Sequence, residues 1–275
     1  MADIANAVRL ARDEHFEEAL AAFDVAVQSS PDDPDAWSQR AGCLLKLGRL
    51  DEAEDSLSRG LAAARTREAE LHRRRGNVLT RLGRHAEAQA ALTRATELAP
   101  ESGEAWYDRG VCLLELGMVP DAVEDFRTAT ALSPDHADAW ANLGVALARG
   151  SRLDEAVEAL GHAVAADPAD GETWFEYGVC LGETGSYDQA LIAYERALEL
   201  DGDDAAVWNN IGVALHELGR RDDALAAYDR ALVLEPEAHE AAANRALLEV
   251  EITTHSRRAS PEPVVQPSPV SEIRL

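Results

Sequence analysis

The sequence predicts an all-α fold, built as a linear stack of repeated helix pairs. Three observations lead to this prediction. The composition is 46% hydrophobic with only 5% aromatic residues and abundant alanine, which favours helix over sheet. The string YDRGVCLLELG at 107–117 returns as FEYGVCLGETG at 175–185. Both strings belong to a 34-residue period, and fixed self-similarity of this kind is typical of stacked repeats.

The period is visible in several independent columns of residues. The columns comprise Trp106, Trp140, Trp174 and Trp208; Gly110, Gly144, Gly178 and Gly212; Ala88, Ala122, Ala156, Ala190 and Ala224; and Ala95, Ala129, Ala163, Ala197 and Ala231. A proline column at Pro100, Pro134, Pro168 and Pro236 keeps the same step, with Gly202 in place of the proline due between the last two. Composition alone does not produce several columns in one register.

Each repeat is expected to form two helices, as residues 137–170 illustrate. Apolar residues recur at helical spacing from Trp140 to Leu147, and the short Gly–Ser–Arg segment that follows predicts a turn. Acidic residues then open a second helix, where they oppose the helix dipole. Pro168 ends that helix, because proline cannot continue it.

These columns resemble the tetratricopeptide repeat family. The pattern is W-x-x-L-G, then Ala at repeat position 20, an aromatic residue or Leu at 24, Ala at 27 and Pro at 32. The resemblance implies a right-handed superhelical solenoid of antiparallel helix pairs. It covers about 250 residues, which is nearly the whole chain.

The predicted organisation is seven repeats, a cap and a tail. The repeats are placed at 1–33, 34–68, 69–102, 103–136, 137–170, 171–204 and 205–238, with one extra residue near Arg65–Glu68. Residues 239–254 are expected to form a C-terminal capping helix. Residues 255–275 are rich in Pro and Ser and are expected to be disordered.

The family resemblance also implies a binding groove. In this family the first helix of each repeat lines the concave face, mainly through repeat positions 2, 5, 6, 9, 12 and 13. The candidate groove residues obtained in this way are Arg73, Arg74, Asn77, Arg81, Tyr107, Val111, Asn142, Val145, Phe175, Val179, Asn210 and Val213. The valines among them form a row at repeat position 9.

The repeat at 69–102 differs from the others in charge. It carries six Arg against four Glu, a net charge of +2, in a chain whose net charge is −25. This predicts a local site for a carboxylate, since the guanidinium group binds carboxylates in a bidentate way. The alternative, left open by the sequence, is that these arginines pair with Glu68, Glu70 or neighbouring acids. Arg73 and Asn77 match part of the family's carboxylate clamp, but Asp108 stands where the clamp needs Asn.

Composition and motifs exclude several functional classes. An acidic chain of this kind repels phosphate backbones and anionic membranes, so neither nucleic acid nor membrane is an expected partner. No secretory signal and no apolar run of membrane-spanning length is present, which predicts a cytoplasmic location. Cys43, Cys112 and Cys180 all fall at repeat position 10 and are expected to be buried. No catalytic, metal-binding or cofactor motif is found.

The predicted function is therefore a non-catalytic scaffold that holds a peptide or helix of a partner protein in its groove. The partner is expected to offer an acidic segment or a free C-terminus to the arginines. Two alternatives remain: a structural solenoid that self-assembles through its N-terminal end, and an accessory subunit of a transferase.

Overall fold

The computed structural model describes residues 2–63 and 68–259, which form fifteen α-helices and no strand. The helices are α1 (Ala2–Arg12), α2 (Phe16–Ser29), α3 (Pro34–Lys46), α4 (Leu50–Ala63), α5 (Glu68–Arg81), α6 (His85–Leu98), α7 (Gly103–Glu115), α8 (Val119–Leu132), α9 (Ala137–Arg149), α10 (Leu153–Ala166), α11 (Gly171–Glu183), α12 (Tyr187–Asp201), α13 (Ala205–Glu217), α14 (Arg221–Leu234) and α15 (His239–Ala259). The all-α prediction is confirmed. The predicted repeat bounds stay a prediction, and α5 begins at Glu68, the last residue of the predicted second repeat.

The chain divides into two compact units, and the division falls inside α11, between Cys180 and Leu181. In the first unit, consecutive helices from α1 through α10 pack against one another. In the second unit, α13 packs against both α12 and α14, and α15 packs against α13 and α14. Repeated pairs of this kind stabilise one another through neighbour contacts.

The glycine column lets the two helices of a pair approach closely. A Cβ atom added to Gly110 would lie 2.7 Å from the ring of Phe126, and one added to Gly144 would lie 2.5 Å from Leu160. The large residue sixteen positions further on therefore occupies the space that a side chain at the glycine would need. This contact explains why the glycine column and the large-residue column share one period.

The tryptophan and proline columns are joined by hydrogen bonds. The indole Nε1 of Trp106 donates to the carbonyl oxygen of Pro100 at 2.9 Å, and Trp140 donates to Pro134 at 2.8 Å. Where glycine replaces the proline, the Nε1 of Trp208 instead donates to Asp203 Oδ1 at 2.9 Å. Each bond fixes the start of a first helix to the loop before it.

The turn inside each pair requires a residue with positive φ. Glycine fills this place in five pairs, at Gly48, Gly83, Gly117, Gly185 and Gly219, with φ between 73° and 80°. Ser151 and Glu14 adopt the same left-handed conformation, with φ of 58° and 62°. In the Gly–Ser–Arg turn, the left-handed residue is therefore Ser151, while Gly150 has a φ of −82°.

The sequence also made predictions about the three cysteines and the chain ends. Cys43, Cys112 and Cys180 are buried, as expected, and burial raises the pKa of the Cys43 and Cys112 thiols. Helix α15 runs to Ala259, five residues past the predicted end of the cap. The predicted tail from 260 onward, and most of the segment with the extra residue, lie outside the described residues.

Candidate functional site

The predicted groove residues of the first unit lie where successive first helices meet. The Nδ2 atom of Asn142 lies 3.4 Å from the hydroxyl oxygen of Tyr107 on the preceding first helix. In the same way, Arg73 on α5 donates to Asp108 on α7 at 2.9 Å. Repeat positions 5 and 6 of neighbouring first helices are thus adjacent at these two contacts.

Arg73 and Arg74 of α5 are already paired within the chain. Arg73 donates to both carboxylate oxygens of Glu70, at 2.9 and 3.1 Å, and its Nη2 lies 3.0 Å from Glu104 Oε2. Arg74 donates to Glu70 at 2.6 Å. Together with Asp108, three carboxylates surround the two guanidinium groups, so the cluster carries one net negative charge. The geometry agrees with the alternative in which these arginines pair with neighbouring acids.

Asp108 is the most enclosed member of this cluster, with a side chain only 12% exposed. It accepts hydrogen bonds from Arg73 and from Asn77 Nδ2, each at 2.9 Å. Burial raises the pKa of the Asp108 carboxyl, while Arg73 and Asn77 oppose the rise. Arg81, in contrast, is exposed and forms no ion pair with any described residue. The carboxylate site predicted for this repeat is not tested by these contacts and stays a prediction.

A cleft of about 370 Å³ opens beside this cluster in the first unit. It is lined by Tyr107, Asp138, Ala141, Asn142, Val145, Arg149, Leu160, Asp170, Glu172, Thr173 and Glu176. Three of the candidate groove residues, Tyr107, Asn142 and Val145, therefore meet in one cavity. The acidic residues at its rim were not among the candidates, although a charge count at repeat positions 2 and 6 would have selected Asp138, Glu172 and Glu176.

The electrostatics of this cleft are acidic. Four carboxylates face a single guanidinium group, that of Arg149, which leaves three net negative charges. Burial, followed by repulsion from Glu172, raises the pKa of Glu176, while Arg149 lowers it. Glu176 forms no hydrogen bond or ion pair with any described residue, so its charge is not compensated by direct contact.

The valine row is only partly open to solvent. Val111, Val145 and Val179 are half-buried, and Val111 packs against the core cluster that contains Phe126. In the second unit, Val213 is 36% exposed. The two remaining candidates, Phe175 in the first unit and Asn210 in the second, are half-buried. Each unit thus presents part of the predicted set, and Tyr107, Asn142 and Val145 meet at one cleft.

Comparison with known protein families decides the classification. Models of the tetratricopeptide repeat match residues 10–75, 73–123, 113–171 and 205–237, and a further model, described as TPR repeat, matches 181–219. The chain belongs to the tetratricopeptide repeat family. The matches cover most of the described residues and confirm the resemblance seen in the sequence.

Solved structures of similar fold agree with this classification. The C-terminal part of a TPR repeat-containing protein from Cytophaga hutchinsonii has a TM-score of 0.69 at 15% identity, covering 88% of this chain and 98% of that one. A MamA crystal structure gives 0.56 at 24% identity, covering 59% and 95%. YrrB, described as a TPR protein with an unusual peptide-binding site, gives 0.52 at 22% identity, covering 80% and 95%. The comparison with curated protein sequences found no match.

This family and fold are typical of protein-interaction scaffolds without catalytic activity, and protein or peptide partners are the type of partner the architecture supports. Among the described residues, every helix is too short or too polar to cross a bilayer.

Proposed function

We propose that this tetratricopeptide repeat protein is a non-catalytic scaffold that binds a peptide segment of a partner protein in the groove of its first unit. The observation that carries the proposal is the cleft between α7, α9 and the start of α11. Its volume suits one or two side chains of a bound segment, and its walls combine apolar and polar groups.

The residues of the cleft have separable roles in this proposal. Val145 and the ring of Tyr107 supply the apolar contact area for a side chain of the partner. Asn142 carries an amide whose donor already reaches the carbonyl oxygen of Asp138 at 2.9 Å, so its side-chain oxygen is the atom offered to a backbone N–H of the partner. The net negative charge favours a segment with a Lys or Arg side chain at this point.

The carboxylate-bearing partner predicted from the sequence remains a second proposal, and Arg81 is the residue that supports it. Arg73 is a poor test of that idea, because its replacement by Glu would leave the enclosed Asp108 without its cation. We therefore expect Arg81→Glu, which changes an exposed and unpaired residue, to weaken binding of an acidic segment without lowering stability.

The proposed groove is tested with peptides selected against the wild-type protein from a random display library. Calorimetry then compares the affinity of the best peptide for the wild type, for Val145→Asp and for Val25→Asp. Val25 is an exposed valine on α2, away from the groove, and serves as the matched control. We expect Val145→Asp to weaken binding more than tenfold and the control to bind as the wild type does. Equal affinities for all three proteins would place the binding site elsewhere.

A further inference from the structure

In two repeats, the side chain at repeat position 26, on the second helix, covers an aromatic ring at position 4. The guanidinium carbon of Arg59 lies 5.5 Å from the centroid of the Trp37 ring, and the ring of His162 stacks on Trp140 at 4.5 Å. From residue 34 to 238, the position-26 residues are Arg59, Arg94, Thr128, His162, Arg196 and Arg230. Among these six repeats, only the one at 103–136 has neither a guanidinium nor an imidazole at this position, because Thr128 occupies it.

A cavity of about 500 Å³ opens beside Thr128 in the first unit. It is bounded by α6, α7 and α8, and its walls include Trp106, Leu113 and Gln89. Trp106 is the position-4 residue of this repeat, and it is half-buried. The ring at position 4 therefore faces a cavity in the repeat whose position-26 side chain is short.

The cavity lies on a different side of α7 from the groove. Trp106, Arg109 and Leu113 are three and four residues apart, so they share one side of the helix. Tyr107 and Val111 of the groove are four residues apart and share another side. The remaining walls come from α6 and α8, which are second helices and supply none of the candidate groove residues.

One ion pair of the cavity is complete within the chain. Arg109 donates to both carboxylate oxygens of Asp125, each at 2.6 Å, and to Thr96 Oγ1 at 3.0 Å. The guanidinium of Arg109 also lies 4.6 Å from the centroid of the Trp106 ring. The Asp125 side chain is only 5% exposed, so this pair forms part of the wall. Asp125 balances the charge of Arg109 there.

Two further carboxylates of the lining lie outside that pair. Asp121 is exposed and forms no ion pair with any described residue. Glu124 is 3.7 Å from Arg127, which itself lies closer to Glu155, at 2.6 Å. The neighbouring Arg94 pairs with a carboxylate of its own helix and is not in the lining. Among the described residues that line the cavity, the charges sum to two negative, which favours a cationic occupant.

The repeat at 34–68 shows how this chain fills the same place by itself. Arg59 Nε lies 3.0 Å from Asp55 Oδ2 while its guanidinium covers Trp37. Asp55 and Glu124 both occupy repeat position 22. The repeat at 103–136 thus keeps the ring and the carboxylate but lacks the arginine that joins them.

We propose that this cavity is a docking site for an arginine side chain of a partner protein. The guanidinium lies against the ring of Trp106 and donates to Asp121 and Glu124. The side-chain oxygen of Gln89 is a further acceptor, since its Nε2 faces Met118 Sδ at 3.8 Å. Arginine suits the site better than lysine does, because a planar guanidinium both stacks on an indole and binds carboxylates in a bidentate way.

The test begins with a random peptide library displayed on phage. The library is depleted on Thr128→Arg, in which the chain supplies its own arginine to the cavity, and is then selected on the wild type. Calorimetry at physiological salt compares the affinity of the best peptide for the full-length wild type, Thr128→Arg and Val25→Arg. Val25 is exposed and lies 34 residues before Arg59, so this control adds the same charge at the same repeat position of another pair.

We expect Thr128→Arg to bind the peptide more than tenfold more weakly than the wild type does, and Val25→Arg to bind it equally well. Asp121→Asn/Glu124→Gln removes the two uncompensated charges without filling the cavity, and it should also weaken binding more than tenfold. Replacement of the arginine of the peptide by glutamine should cost more than tenfold, and by lysine at least threefold. Circular dichroism checks that each variant is folded.

Several results would overturn the inference. They are a selection that yields no peptide, equal affinity of the peptide for the wild type and Asp121→Asn/Glu124→Gln, and unchanged affinity after the arginine of the peptide is replaced by glutamine. A loss in Val25→Arg as large as that in Thr128→Arg would attribute the effect to overall charge. Argininamide, a free compound with the same guanidinium, is the last probe. If it binds as tightly as the peptide does, the cavity takes a small molecule and not a partner protein.

This inference goes beyond the proposed function and does not depend on it. Val145→Asp should bind the arginine peptide as the wild type does, and Thr128→Arg should bind the peptide selected for the groove as the wild type does. If only the groove peptide responds to its variant, the groove proposal stands and the arginine site is wrong. If only the arginine peptide responds, the reverse holds.

Discussion

At the residue scale, the turn between the helices of a pair shows how the backbone conformation of one residue affects the stability of the fold. Ser151 holds φ at 58° in a place where other repeats use glycine. The left-handed region brings a Cβ atom close to the following carbonyl oxygen, and this contact costs roughly 1–2 kcal/mol for a residue other than glycine. The fold tolerates the strain at Ser151 because the surrounding helices fix the turn.

Replacement of this serine tests that account. We expect Ser151→Gly to raise the free energy of unfolding by about 1 kcal/mol, because glycine adopts the conformation without strain. The matched control is Gly117→Ser, which should lower it by a similar amount, since a Cβ at Gly117 meets no atom within 4 Å and the effect is purely conformational. Urea denaturation measures both changes. A destabilised Ser151→Gly variant would contradict the account.

A second prediction at this scale concerns Glu176 and pH. Its folded-state pKa is raised, chiefly by burial, so ionisation of this group opposes folding. Glu176→Gln should therefore be more stable than the wild type at neutral pH. The difference should appear as the pH rises above the unfolded pKa of about 4.3 and become constant once the folded carboxyl is ionised. A stability difference that does not depend on pH between 4 and 7 would show that the carboxylate charge is not the cause.

At the scale of the helix pair, close approach is set by the glycine column. We expect Gly144→Ala to destabilise the protein, because the added Cβ would lie 2.5 Å from Leu160 and overpacking typically costs about 1–3 kcal/mol. Gly161 is also helical, but a Cβ there would meet Tyr177 at an ordinary 3.6 Å. Gly161→Ala should therefore stabilise by about 0.5–1 kcal/mol through helix propensity. Thermal unfolding of the two variants should shift in opposite directions.

At the scale of the whole molecule, the net charge of −25 is the dominant feature. Salt screens repulsion between exposed carboxylates, so the melting temperature should rise from low salt to molar KCl. Calorimetry across that range measures the rise. A melting temperature that is flat or falls with salt would show that the local ion pairs, which salt weakens, matter more than the overall repulsion.

The sequence by itself determined the fold class, the tandem repeat of helix pairs and the burial of the cysteines. It could do so because a 34-residue period repeats the same contact many times, and each column reports the same local packing. It also selected Tyr107, Asn142 and Val145, which meet in one cleft, because repeat position fixes the face of the helix on which a residue lies.

Only the tertiary structure decided the charge state of the candidate surfaces. Arg73 lies near Glu104 and Asp108 only after α5 and α7 pack side by side, so a charge count within one repeat leaves out the carboxylates that the neighbouring repeat brings to Arg73. Likewise, the exposure of Leu247 and Val250 depends on which neighbours α15 has and which it lacks. Periodicity fixes what is repeated, whereas ion pairing and exposure depend on residues that differ from one repeat to the next.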